Sequence, residues 1–322
     1  MKKVSLLVMI TFLSLISSPN FAEAETSGFP NRPIEMIVPF QMGGLLDIGV
    51  RITVDQLAKE LKTPVVVVNK PGASGSTGTT WAAKAKPDGY TLLAGGIASL
   101  VSAYFFLSKL PYETHRDFLP LAYVGESPSL LVVRSGASWK NFEELIDFAK
   151  KNPGKLSYGT SGLSTTSSLN MELIKKQTGV DITRIIYGGG GESTVDILGG
   201  HVDIGYAGYP VLQPHINAKT LRPLATSKKI DALPEVPSFM EKGFNEVVVN
   251  WSGFFAPAKI PKEVYNKLTN AFDRTLANPT IIAKLTKVGF IPERKTRAEI
   301  TTLLKAQYEL VAKIVKAEKA GK

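Results

Sequence analysis

The 322-residue sequence has no cysteine and only three histidines, His115, His201 and His215. The first absence excludes a disulfide framework, a thiolate nucleophile and a lipid-attachment cysteine. No H-x-x-x-H pair falls on a helix, so a transition-metal site lacks its ligands, and there is no G-x-S-x-G nucleophile elbow. Adjacent carboxylates such as Glu143 and Glu144 sit on an amphipathic helix, where a solvated face accounts for them. A hydrolase or lyase built on Asp47 and a nearby hydroxyl would lack an activating base. The expectation is a binding protein rather than an enzyme, with no cofactor. Long apolar runs are scarce too: Val65 to Val68 and Val247 to Val249 are strand-sized, far below the roughly 20 residues that span a bilayer.

The N-terminus carries an address. Lys2 and Lys3 precede an apolar run from Val4 to Ile16, and Ala22-Glu23-Ala24 forms an A-x-A cleavage site. This is the pattern of a secretory signal peptide over residues 1–24, with cleavage expected after Ala24 and export of a soluble chain. Losing Lys2, Lys3 and Glu23 lowers the net charge from +10 to +9. The remaining lysines are scattered, with no basic run interleaved with aromatics, so nucleic acid is not an expected partner. A solvated surface that mildly steers anions fits the excess better.

From Pro33 onward, short β-rich runs alternate with longer helical ones, which predicts α/β layers with largely parallel sheets. Ile34 to Val38, Val65 to Val68 and Thr91 to Ala94 read as strands. Val50, Val54, Leu57, Ala58 and Leu61 recur at helical spacing between the first two. A second series has strand candidates at Leu130 to Val133, Lys155 to Tyr158, Thr183 to Ile186 and Val202 to Ile204. In it, Ser138 is a candidate cap for a helix presenting Phe142, Leu145, Ile146 and Ala149. After Val247 to Phe255 come helices: Pro261 opens one bearing Val264, Leu268, Ala271 and Phe272, and Thr296 with Glu299 forms a capping box before Ile300. The expected organisation is two α/β lobes with a cleft between them: residues 25–124, then 125–246, then a return to the first lobe over 247–322.

Two turns have the chemistry of anion sites. From Ile34 to Asp47 an apolar strand leads through Gly43-Gly44 into a helix start, where free backbone amides face outward. Asp47 is equally well placed to cap that helix, and spacing alone leaves both readings open. The segment Tyr158 to Ser168 brings Thr160, Ser161, Ser164, Thr165, Thr166, Ser167 and Ser168 to another helix start, where hydroxyls and amides together can accept a carboxylate or simply cap. The Asn69 to Gly78 turn lacks dinucleotide and P-loop spacing and reads as a cleft wall. Gly188 to Gly191 before Glu192 reads as a flexible connection. Tyr206, Tyr209 and Trp251 are candidates for aromatic pocket walls or for packing.

VPFQMGGLLD, VVVVNKPGASGSTG, AKAKPDGYTLL, NPGKLSYGTSG, DILGGHVDIGY, QPHI and FFAPAKIPKEVYNKL follow one another through the chain. In order and spacing they resemble the receptors of tripartite tricarboxylate transporters, the Bug family, over essentially the whole mature chain. The resemblance implies a periplasmic, monomeric solute-binding receptor with a two-lobe periplasmic binding protein fold of type II kind. It would close on a small organic acid and deliver it to membrane permease subunits, or in a sensory variant present its closed form to a signalling receptor. In relatives the two turns grip one carboxylate from opposite lobes. Carried onto this chain, ligand contact falls to Phe40, Gln41, Gly43, Gly44 and Asp47, to Ser99 after the third strand, and to Thr160, Ser161, Gly162, Thr165, Thr166 and Tyr206. The chain departs from the family pattern at Gln41-Met42, Gly96-Ile97-Ala98, Ser168, Gly188-Gly189 and Tyr206-Ala207-Gly208. These departures remove polar groups from the cleft side, favouring a less charged or more apolar distal group than that of citrate.

Overall fold

The computed structural model describes residues 28–107, 109–188 and 190–320; the leader, its cleavage site and Gly189 lie outside them. In chain order the elements are β1 Ile34–Val38, α1 Leu45–Leu61, β2 Val65–Asn69, α2 Ser76–Ala83, β3 Thr91–Gly96, α3 Ala103–Phe106, α4 Thr114–Asp117 and β4 Phe118–Ser127. Then come β5 Ser129–Arg134, α5 Phe142–Lys151, β6 Leu156–Thr160, α6 Thr166–Thr178, β7 Ile182–Ile186, α7 Gly190–Gly199, β8 Ile204–Gly208, α8 Tyr209–Asn217 and β9 Leu221–Thr226. The chain closes with β10 Asn250–Pro257, α9 Lys262–Ala277, α10 Pro279–Lys287, β11 Ile291–Pro292 and α11 Arg297–Ala320.

The strands form two sheets, ordered β11-β4-β10-β3-β1-β2 and β7-β6-β8-β5-β9. Each combines a parallel half with an antiparallel half, so the sheets are mixed rather than mostly parallel. In the first, β1 pairs in parallel with β2 and β3, whereas β10 runs antiparallel to β3 and β4. In the second, β6 pairs in parallel with β7 and β8, whereas β5 runs antiparallel to β8 and β9. The cause is connectivity. A parallel neighbour needs a crossover helix, and the chain instead passes between the sheets at Pro128 and again over residues 227–249.

Helices cover both faces of the first sheet. On one side Val50, Val54 and Leu57 of α1 join Val264, Leu268, Ala271 and Phe272 of α9, and Phe272 stacks on Phe254 of β10 with ring centroids 4.6 Å apart. Leu268 and Phe272 have no exposed surface, and burial of each contributes about 2 kcal/mol. On the other side Ile300, Leu304, Val311 and Ile314 of α11 pack with Trp251 and Phe255. The expected capping box is present at the start of α11: Thr296 N donates to Glu299 Oε2 at 2.7 Å, and Glu299 N donates to Thr296 Oγ1 at 3.2 Å. Helix α5 buries Phe142, Leu145, Ile146 and Ala149 as its spacing predicts, but its cap is Asn141, whose Oδ1 accepts the Glu144 amide at 2.8 Å. Ser138 lies too far upstream to reach the free amides of the first turn.

Candidate functional site

A cavity of about 110 Å³ lies where the two lobes meet, beyond the carboxyl ends of β1, β3, β6 and β8. This is where open α/β sheets hold ligands. On the same measure one water requires roughly 10–15 Å³, so the space suits a small organic molecule rather than a single ion or water.

Four helices of nine or more residues contribute their first turns to its wall. Gly44, Leu45 and Leu46 come from the start of α1, and Thr165, Thr166 and Ser167 from the start of α6. Gly191 and Ser193 come from α7, and Gly208 and Val211 from α8. The remaining lining residues include Phe40, Gln41, Met42, Ile97, Ser129, Ser161, Tyr206, Asn250, Trp251 and Ser252. Among the described residues none that lines the cavity is ionisable as Asp, Glu, His, Lys or Arg. A helix start carries partial positive charge and free amides, which suits an anion without a buried cation; the first turns of α1 and α7 offset part of it with Asp47 and Glu192, neither of which lines the cavity.

Seven of the twelve residues expected at the site line the cavity: Phe40, Gln41, Gly44, Ser161, Thr165, Thr166 and Tyr206. The other five, Gly43, Asp47, Ser99, Thr160 and Gly162, do not line it. Asp47 is buried in the first turn of α1, two residues inside the helix rather than at its cap, which is Gly44. Its Oδ2 accepts the Gly43 amide at 2.9 Å and Arg51 Nε at 2.8 Å, and its Oδ1 accepts Asn69 Nδ2 at 2.9 Å. Burial opposes ionisation of this carboxyl, but the hydrogen bonds from Arg51, Gly43 and Asn69 outweigh it and hold the pKa below the usual carboxylate value. Asp47 therefore ties the Gln41 to Gly44 turn to the sheet, and the Gly43 amide is already taken.

In the hydroxyl-rich turn, Thr160 Oγ1 is buried and lies 2.7 Å from Thr165 Oγ1 and 2.6 Å from Ser167 Oγ. Thr165 Oγ1 also donates to the Gly162 carbonyl at 2.7 Å. Thr160 and Gly162 are thus the internal frame on which Thr165, Thr166 and Ser167 are hung. Gly162 has φ +143°, and a Cβ there would come within 2.2 Å of Ser74 Oγ on the first lobe. Ser99 is fully buried beside Gly75 and does not line the cavity.

Of the aromatic candidates, Trp251 and Tyr206 line the cavity, and Tyr206 OH accepts Asn170 Nδ2 at 2.8 Å. Burial raises the Tyr206 pKa against that hydrogen bond, so this hydroxyl stays protonated. Tyr209 packs on Gly289 instead. The Gly188 amide is occupied by its own Glu192 carboxylate at 2.8 Å, while Lys70 of the Asn69 to Gly78 turn sits over the Trp81 ring at 3.7 Å. Neither residue lines the cavity.

A sequence profile described as tripartite tricarboxylate transporter family receptor matches residues 50–319. The chain belongs to the tripartite tricarboxylate transporter receptor family. Among these receptors, the BugT protein of Bordetella pertussis is 32% identical over 275 residues, covering 84% of each chain. An adipate-bound R. palustris protein superposes with a TM-score of 0.85 at 28% identity, covering 89% of this chain and 98% of the other. Malate-bound MatC from Rhodopseudomonas palustris gives 0.84 at 27% identity, covering 89% of this chain and all of its own. A periplasmic binding protein, BugD, shares the same two-lobe α/β fold with a TM-score of 0.85. The family is described as one of receptors and BugD as a binding protein, neither as an enzyme.

In this receptor the cavity has more polar side chains than the departures from the family pattern suggest. Ser129 and Asn250, which sequence reasoning missed, join Thr166 in one hydrogen-bonded group: Thr166 Oγ1 donates to Asn250 Oδ1, and Asn250 Nδ2 donates to Ser129 Oγ at 3.0 Å. Nothing in the local pattern around Ser129 or Asn250 marks either as a site residue. Only the two chain crossings bring them together.

Proposed function

We propose that this chain is an exported receptor that captures a small carboxylate-bearing solute between its lobes and hands it, unchanged, to the membrane subunits of a tripartite tricarboxylate transporter. The observation that carries this reading is the cavity wall, where four helix starts converge and no described lining residue is cationic. Such a wall binds a negative group through oriented amides and hydroxyls and releases it without breaking a salt bridge. Adipate and malate, carried by the two Rhodopseudomonas relatives, are both carboxylates.

Ligand contact is assigned to Phe40, Gln41, Gly44, Ser161, Thr165, Thr166 and Tyr206, with Asp47 and Thr160 as their supports. Contacts between the lobes, such as Gln213 Nε2 donating to the Lys287 carbonyl at 2.8 Å, support a cleft that encloses its ligand. Export follows from the leader over residues 1–24, and the described residues contain no helix long and apolar enough to cross a membrane.

The test is mass spectrometry of whatever small molecule is released when the purified mature protein is denatured, followed by calorimetry with that compound. A carboxylic acid that binds one per chain and is recovered intact is the expected result. A bound compound without an acidic group, or conversion of the acid to product, contradicts the proposal.

A further inference from the structure

Asn250 is the first residue of β10 and Ser129 the first of β5, so they lie at the two places where the chain passes between the sheets. Asn250 bridges them to the start of α6: its Oδ1 accepts Thr166 Oγ1, and its Nδ2 donates to Ser129 Oγ at 3.0 Å. All three residues line the cavity.

The hydrogen-bond inventory of this group defines what it can read. An asparagine amide has two N–H donors and a carbonyl with two lone pairs, and a serine hydroxyl donates one proton while accepting others. One Asn250 N–H is used on Ser129 and one lone pair on Thr166, leaving the second N–H, the second Oδ1 lone pair and the Ser129 O–H without a described protein partner. The cavity floor therefore presents donors and an acceptor side by side. A second carboxylate only accepts, and it would meet the Asn250 carbonyl with no cation among the described lining residues to compensate. A hydroxyl both donates and accepts, and so satisfies the group as it stands.

We propose that Asn250, with Ser129, is the specificity-determining pair of this receptor and that it selects acids carrying an uncharged hydroxyl in addition to the carboxylate. This rests on the carboxylate reading of the cavity and adds to it the identity of the second group on the solute. Because the pair sits at both chain crossings, a ligand hydroxyl bound there also links the segments about which the lobes would move.

The experiment is calorimetry on the mature protein at pH 7 with matched pairs: butyrate against 4-hydroxybutyrate, and hexanoate against 6-hydroxyhexanoate. The expected result is that the hydroxy acid of at least one pair binds tenfold or more tightly than its parent. Asn250→Leu should reduce that preference to within about threefold, and Ser129→Ala should shrink it partway, with thermal unfolding confirming that each variant folds. If Asn250→Leu fails to fold, Ser129→Ala carries the test. Equal binding within both pairs, or a preference that survives in the folded variants, overturns the pair's role while leaving carboxylate capture standing. Absence of binding by every acid to the folded wild type overturns both.

Discussion

The carboxylate of Asp47 accepts the backbone amide of Gly43 at 2.9 Å, closing the turn that leads from β1 into α1. The same side chain also holds Arg51 and Asn69, so one buried acid fixes the turn, the helix and the neighbouring strand. Asp47→Ala should destabilise the protein by about 2 kcal/mol, the scale of hydrogen bonds to a charged group, read from urea unfolding. It should also weaken ligand binding, because Gln41 and Gly44 lose their support. A variant as stable as wild type would show that the turn holds itself.

The depressed pKa of Asp47 sets a direction for pH dependence. A carboxyl whose folded pKa lies below its unfolded value stabilises the fold above the unfolded pKa, about 4, and loses that contribution as pH falls through the folded value. Unfolding free energy measured from pH 6 down to pH 2 should therefore fall more steeply in wild type than in Asp47→Asn. Parallel curves would show that Asp47 does not set this pH dependence.

Across the cleft, Gly162 faces Ser74 so closely that a Cβ would lie 2.2 Å from Ser74 Oγ, and its φ of +143° disfavours any side chain. Gly162→Ala should hold the lobes apart and weaken ligand binding tenfold or more by calorimetry. Restoring space with Ser74→Gly in the same chain should recover part of the loss. No effect of the single substitution would mean that the lobes need not approach there for binding.

Far from the cavity, Leu268 of α9 is fully buried against the first sheet. Leu268→Ala should cost about 2–5 kcal/mol in urea unfolding while leaving ligand affinity unchanged under conditions where the variant is folded. A change in affinity without a change in stability would break the separation between core and site.

Much of this site is visible in the sequence because its parts are local. Gly43-Gly44 before a helix and the run of hydroxyls from Thr160 to Ser168 each announce a strand-to-helix turn, and both turns reach the cavity. The same local reasoning cannot tell which turn residue points inward, so Asp47, Thr160 and Ser99 were expected at the ligand and do not line the cavity. Ser129 and Asn250 are 121 residues apart in the chain and meet only through the crossings between the sheets. Strand β9, Leu221–Thr226, is not among the strands expected from the sequence; it carries Pro223 and lies at an edge of the second sheet, where a missing N–H is tolerated. The antiparallel halves of both sheets are set by those same crossings, which no periodicity encodes.

The converging helix starts are proposed to hold the ligand through the negative charge of its carboxylate. The most direct test is calorimetry of the mature protein at pH 7 with the acid recovered from the purified chain and with the primary amide of that acid. The expected result is saturable one-to-one binding of the acid and at least a hundredfold weaker binding of the uncharged amide. Equal affinity for the two would contradict it.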